Sequence, residues 1–159
     1  MSIIRVEIDI NALPAVCFDM ARSADAHVES ARLTGERAVS GVTTGMLNLG
    51  DEVTWRARHF GVTQDLTSRI VAFDRPHHFR DEMVRGAFRR IVHDHYFEPA
   101  AAGGTRMADV FDFTAPLGPL GTLVDRLILT AYLRRFLENR ARALKQLAES
   151  DAGRRFIVE

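Results

Sequence analysis

Ionisable side chains stand at alternate positions of several apolar segments in the middle of the chain. They are His59, Asp81, His93, His95 and Asp109. Because alternate residues of a β-strand share one face, each group is expected on the same face as the apolar residues in its pattern. A buried ionisable group is costly unless it is paired, and such groups in an apolar cavity often mark a site. The pattern therefore predicts either a hydrogen-bonded core network or a polar patch that orients a bound molecule.

The same cluster leaves acid–base catalysis and metal binding open. His93, His95 and Asp81 are the candidate catalytic residues, since each could act as a general base. His93 and His95 lie two positions apart and would point the same way, so a carboxylate could complete a metal site. That spacing is common, and the sequence has neither a nucleophile elbow nor a phosphate-binding glycine loop. We therefore predict no bound metal and no organic cofactor.

Apolar residues on the same face would form the walls of a cavity around these polar groups. The strands would contribute Trp55, Phe79, Met83, Phe97, Met107, Phe111 and Phe113. Leu133 and Phe136 would close the cavity from a helix. Together with the five ionisable residues, these side chains are the predicted ligand-binding set.

The elements that must position this set follow from periodicity and turn signals. Alternation over Ile4–Ile10 indicates a strand, and Asn11 and Pro14 then suit the start of a short helix. A second short helix is predicted over Ser23–Ser30. The remaining predicted strands are Glu36–Ser40, Glu52–Phe60, Val62–Phe73, His78–Arg85, Phe88–Phe97 and Thr105–Thr114.

A long helix is predicted from Leu120 to Ser150, after the proline- and glycine-rich loop Pro116–Gly121. One helix can cover a sheet of this size only if the sheet curls around it. The sequence therefore predicts an α+β helix-grip domain over residues 1–150, followed by a tail over residues 151–159. Its curved antiparallel sheet has about six or seven strands around the long C-terminal helix, with two short helices after the first strand.

The long helix carries two apolar stripes instead of one. The first comprises Leu120, Leu123, Val124, Leu127, Ile128 and Ala131, and the second comprises Leu129, Leu133, Phe136, Leu137, Leu144 and Leu147. Either the helix kinks near Thr130, or its first half is apolar on both sides. In the second case Leu123, Leu127 and Ile128 would be free to form a homodimer contact.

Composition excludes several classes of protein. The 159 residues carry a formal net charge of zero, so the basic surplus typical of nucleic-acid binding is missing. Cys17 is the only cysteine, which excludes an internal disulfide. No apolar run is long enough for a transmembrane segment. We expect a cytoplasmic protein that binds no nucleic acid.

Several local motifs resemble the START-like, polyketide-cyclase-like (SRPBCC) superfamily of helix-grip proteins. The strand-to-helix stretch Ile8–Asp19 resembles the superfamily in general, whereas four other stretches resemble one bacterial ligand-binding branch. These are Val53–Gly61, Phe79–Met83, His93–Phe97 and Pro116–Gly121. The resemblance covers roughly residues 3–148. It implies the helix-grip fold, and it places the Gly41–Gly50 and Pro116–Gly121 loops near the mouth of a cavity.

Three functions are compatible with this resemblance, because the superfamily includes lipid carriers, hormone receptors, cyclases and chaperone activators. The leading hypothesis is a non-enzymatic module that binds a hydrophobic small molecule, such as a lipid, a polyketide or an aromatic compound. The first alternative is a cyclase or dehydratase that uses the same pocket. The second alternative is an interaction module whose cavity has collapsed.

Overall fold

Seven antiparallel strands form one sheet in the computed structural model, which describes residues 1–32, 35–115 and 128–157. The strands are β1 (Ser2–Ile10), β2 (Arg37–Gly41), β3 (Glu52–His59), β4 (Val62–Asp74), β5 (His78–Arg85), β6 (Arg90–Pro99) and β7 (Thr105–Thr114). Their order in the sheet is β1-β7-β6-β5-β4-β3-β2. Strands β2 to β7 therefore form a meander, and β1 pairs with the last of them.

Two short helices and one long helix complete the domain. They are α1 (Pro14–Ala21), α2 (Ala24–Ser30) and α3 (Thr130–Ala148). The buried face of α3 carries Leu133, Leu137, Ala141 and Leu144, at the spacing of one helical stripe. This helix contacts β1, α1 and α2. The predicted architecture of a curved antiparallel sheet around a long C-terminal helix is confirmed.

The first helix begins differently from the prediction. Asn11 is not its N-cap; Leu13 takes that position without a side-chain hydrogen bond. The backbone N–H of Asn11 donates instead to Glu149 Oε1 at 2.7 Å, which ties the end of β1 to the end of α3. The second helix begins as expected, because Ser23 accepts a hydrogen bond from the N–H of Ala26.

Part of the predicted long helix lies outside the described residues. The loop Pro116–Gly121 and the stripe residues Leu123 and Leu127 belong to that part. Ile128, the remaining residue of the predicted dimer contact, has 58% of its surface exposed. Beyond α3, Asp151–Phe156 form a 3-10 helix that packs against it. No helix in the described ranges is long and apolar enough to span a membrane.

The register of the sheet explains which side chains point inward. Strands β6 and β7 pair without interruption from Arg90 opposite Thr114 to Pro99 opposite Thr105. Register shifts occur instead in the pairings of β2 with β3 and of β4 with β5. The inward alternation of β6 and β7 is therefore unbroken, as the sequence pattern assumes.

Candidate functional site

A cavity of about 310 Å³ lies between the inner face of the sheet and helices α2 and α3. Most of the predicted ligand-binding side chains line it. They are Trp55, His59, Phe79, Asp81, Met83, His93, His95, Phe111, Leu133 and Phe136. A collapsed interior, one of the three hypotheses from sequence, is therefore wrong for this structure.

Four predicted lining residues lie away from the cavity: Phe97, Met107, Asp109 and Phe113. They share the inner face but are buried in packing, with at most 7% of each residue exposed. At the end of the sheet where Phe97 lies opposite Met107, the Phe18 ring of α1 packs edge-on against Phe97 with centroids 5.5 Å apart. Phe113 lies at the other end of β7, opposite Ile91, and packs against the rings of Phe88 and Phe111. Asp109 lies behind the His95 and His93 rings, with Oδ1 2.7 Å from His95 Nδ1 and 3.6 Å from His93 Nε2.

An aspartate–histidine cluster forms the polar wall of the cavity. Asp81 lies directly opposite His93 across β5 and β6, and His95 lies opposite Asp109 across β6 and β7. The Nδ1 atom of His95 is 2.7 Å from Asp109 Oδ1, and its Nε2 atom is 3.1 Å from Asp81 Oδ2. Ionised carboxylates only accept hydrogen bonds, so both ring nitrogens of His95 must donate. That geometry requires an imidazolium.

The pKa of His95 agrees with this assignment. Burial alone would lower it, but the Asp109 and Asp81 carboxylates outweigh burial and raise the pKa to about 9. Burial would raise the pKa of both carboxyl groups, but the same contacts with the histidines hold each pKa below its ordinary value. The cluster is thus a cation held between two anions.

His93 is in a different state from His95, although the two ring centroids are only 3.9 Å apart. Its Nδ1 atom is 3.9 Å from Asp81 Oδ2 and its Nε2 atom is 3.6 Å from Asp109 Oδ1, both too long for hydrogen bonds. The buried Nε2 atom has no hydrogen-bond partner among the described residues. Burial and the neighbouring His95 cation lower the pKa of His93, so its imidazole is neutral.

A second polar group, formed by His27, Glu36 and Arg140, was not predicted from sequence. Arg140 donates to His27 Nδ1 at 3.0 Å, and His27 Nε2 is 2.9 Å from Glu36 Oε1. Arginine is always a donor, so His27 Nδ1 carries no proton and Nε2–H donates to Glu36. Burial and the Arg140 charge lower the pKa of His27, which agrees with a neutral ring. All three residues line the cavity.

Two atoms of this second group are left without partners. Glu36 Oε2 and Arg140 Nε are buried, and neither has a hydrogen-bond partner among the described residues. The His27 ring also stacks on Trp55, with centroids 3.8 Å apart and planes 10° from parallel. An acceptor and a donor without partners therefore belong to residues that line the same cavity as Trp55.

A third polar group on the cavity wall is the pair His59 and Tyr132, and His59 is the last residue of β3. His59 Nδ1 and the Tyr132 hydroxyl are 2.8 Å apart, and burial lowers the pKa of His59. The next residue, Phe60, lines the cavity and yet is 60% exposed. Phe60 and Gly61 both have positive φ and form the two-residue β3–β4 turn. The cavity thus reaches the surface beside this turn.

Two loops were predicted near the mouth of the cavity, and the structure describes one of them. The Gly41–Gly50 loop contributes Leu47 to the cavity wall, where it is buried. The Pro116–Gly121 loop lies outside the described residues.

A family model described as polyketide cyclase/dehydrase and lipid transport matches residues 1–149. The chain belongs to this family. The match covers the whole sheet and α3, and so includes every residue of the cavity wall. A comparison with curated proteins finds no significant match.

Solved structures with the same fold come from bacteria and plants. The ZhuI aromatase/cyclase of Streptomyces sp. R1128 is 13% identical, with a TM-score of 0.76 over 96% of this chain and 98% of the other. A Thermus thermophilus protein is 17% identical, with a TM-score of 0.75 over 91% and 95% of the two chains. Ginseng major latex-like protein 151 of Panax ginseng is 18% identical, with a TM-score of 0.66 over 91% and 95%. At sequence identities this low, the structural similarity establishes a shared fold only.

Proposed function

We propose that this family member binds a small molecule with an apolar body and a neutral polar end inside the sheet. The observation that carries the proposal is a cavity of about 310 Å³ with aromatic and aliphatic walls and polar groups at defined places. Ligand pockets of roughly 300–1,000 Å³ are typical, so this cavity is at the small end. Its size suits a compound with one to three rings or a short acyl chain better than a two-chain lipid.

The unpartnered atoms of the second polar group suggest how such a ligand is oriented. A buried polar atom without a hydrogen bond is unfavourable, and a ligand that supplies the bond removes that penalty. A ligand hydroxyl that donates to Glu36 Oε2, or a carbonyl that accepts from Arg140 Nε, would do so. The rest of the ligand would then lie against Trp55.

A matched pair of substitutions on β3 tests the proposal. Ala57 is buried on the cavity wall, whereas the next residue, Arg58, is exposed on the opposite face. Ala57→Phe places a ring in the cavity and should weaken binding of a fluorescent naphthalene probe at least tenfold. Arg58→Phe places the same ring outside and should leave binding unchanged.

The stability of both variants must be measured, because overpacking costs about 1–3 kcal/mol. Thermal melts would show that each variant is folded at the assay temperature. Native mass spectrometry of the purified chain should also reveal a co-purified apolar compound in the wild type and not in Ala57→Phe. Equal binding of the probe by the wild type and Ala57→Phe would refute the proposal.

A second function, a cyclase or dehydratase reaction in the same pocket, is favoured by one observation. A neutral imidazole and an imidazolium stand side by side at His93 and His95, which is the pairing that acid–base chemistry uses. His93 would be the base, with His95 and Asp81 beside it. Under this hypothesis His93→Ala should abolish turnover of a polyketide-like substrate while leaving the melting temperature nearly unchanged. Retained turnover in that variant would exclude His93 as the base.

A further inference from the structure

Three side chains on the polar wall of the cavity bring metal-ligand atoms together. Asp81, His93 and His95 each offer one such atom, and these atoms all lie within 4.8 Å of one another. The Asp81–His95 separation is 3.1 Å and the Asp81–His93 separation is 3.9 Å. Ligands about 2.1 Å from a tetrahedrally coordinated cation are about 3.4 Å apart. Side-chain movements of the order of 1 Å would therefore close the set onto one ion.

We propose that Asp81, His93 and His95 form a binding site for a divalent transition-metal ion on the wall of the cavity. Two imidazoles and one carboxylate suit zinc or ferrous iron better than magnesium or calcium. Three protein ligands would leave coordination positions open, and these would face the cavity. The sequence spacing of His93 and His95 alone did not support this site; the register that adds Asp81 does.

The position of Asp109 supports the metal site independently, because its carboxylate lies behind the rings of both His93 and His95. Its Oδ1 atom is 2.7 Å from His95 Nδ1 and 3.6 Å from His93 Nε2. A metal-ligating histidine almost always donates its other ring N–H to such a group. A cation on His93 Nδ1 would fix the proton on Nε2, the buried atom that has no partner in the described structure. One carboxylate would then orient both histidine ligands.

Binding of a divalent cation would displace one proton from the cluster. In the metal-free protein a proton lies between His95 Nε2 and Asp81. The cation would take the place of that proton, which leaves to solvent, so the site gains one net positive charge. Binding of an apolar ligand does not require the cation, and the inference therefore goes beyond the proposed function.

Titration of the full-length chain with Zn²⁺ and Co²⁺, after treatment with a chelator and dialysis, tests the site. We expect saturable binding of one ion per chain, and visible absorption bands from the Co²⁺ form. Asp81→Asn and His93→Gln should each weaken binding at least tenfold, and Asp109→Asn should weaken it about 10–100-fold. His77→Gln removes an exposed histidine and should have no effect.

Circular dichroism melts of each variant would establish that it is folded. The proposal is overturned if the folded wild type binds no ion with one-to-one stoichiometry. It is also overturned if Asp81→Asn and His93→Gln bind Co²⁺ as the wild type does, since the ion would then lie elsewhere. Binding of the naphthalene probe is measured in parallel. A chain that binds the probe but no metal would refute this site and leave the proposed function standing.

Discussion

Replacing His95 with glutamine should change how the stability of the protein depends on pH. The folded-state pKa of His95 is raised from its ordinary value of 6.5 to about 9. At about 1.4 kcal/mol per pKa unit, this shift corresponds to about 3 kcal/mol of stability. The lowered pKa of Asp109 describes the same interaction and adds no second contribution.

The direction of the effect follows from the sign of the shift. A group whose folded-state pKa is raised contributes its full stability below its unfolded pKa and loses it as pH rises through the folded value. The contribution of His95 should therefore be complete below about pH 6.5 and largely absent above about pH 9. Urea unfolding between these pH values, with a chelator present, measures the change.

The wild type should lose about 3 kcal/mol of unfolding free energy over this range relative to His95→Gln. A His77→Gln variant is the control, because His77 is exposed, and its curve should follow that of the wild type. If His95→Gln and the wild type gave parallel curves from pH 6.5 to pH 9, His95 would not be held as an imidazolium.

Three further predictions concern the cavity and its supports. Trp55 is the only tryptophan and lines the cavity, so a bound apolar ligand should change the intrinsic fluorescence saturably; an unchanged spectrum at saturation would contradict this placement. Phe18→Ala should lower the unfolding free energy by about 3–5 kcal/mol in urea denaturation, because Phe18 is fully buried among aromatic rings. Tyr132→Phe should cost only about 1 kcal/mol, since it removes a single hydrogen bond to His59; a cost as large as that of Phe18→Ala would show that this contact has another role.

Strand periodicity was enough to predict which face each inward residue occupies, but not its position along the sheet. Phe97, Met107 and Phe113 lie on the predicted face and are buried, yet they pack away from the cavity. Period-2 alternation does not indicate which end of the sheet is filled by α1. The burial of Phe97 depends on the tertiary packing of Phe18, and that of Phe113, at the other end of β7, depends on Phe88 and Phe111. Nothing local in the sequence specifies either contact.

The aspartate–histidine cluster shows a second limit of prediction from sequence, which is the register between neighbouring strands. Sequence predicted that Asp81, His93 and His95 share a face, but not that Asp81 lies opposite His93. Register depends on turn geometry and bulges as well as on alternation. The His27–Glu36–Arg140 group was missed because two of its members lie in segments with weak periodicity. Arg140 carried a usable signal, since it follows Phe136 by four residues and so shares a helical face with it.

The charges of the polar groups restrict which ligands the cavity can hold. Glu36, Asp81 and Asp109 are anionic, whereas only Arg140 and His95 are cationic among the residues of the two clusters. The two clusters together therefore carry one excess negative charge in a low-dielectric interior. A carboxylate headgroup would add to that excess, and like charges at short range are strongly unfavourable when desolvated. A neutral hydroxyl or carbonyl avoids this repulsion, and a cation between Asp81 and the histidines would offset it. The excess negative charge of the two clusters thus supports both a ligand with a neutral polar end and the proposed metal site.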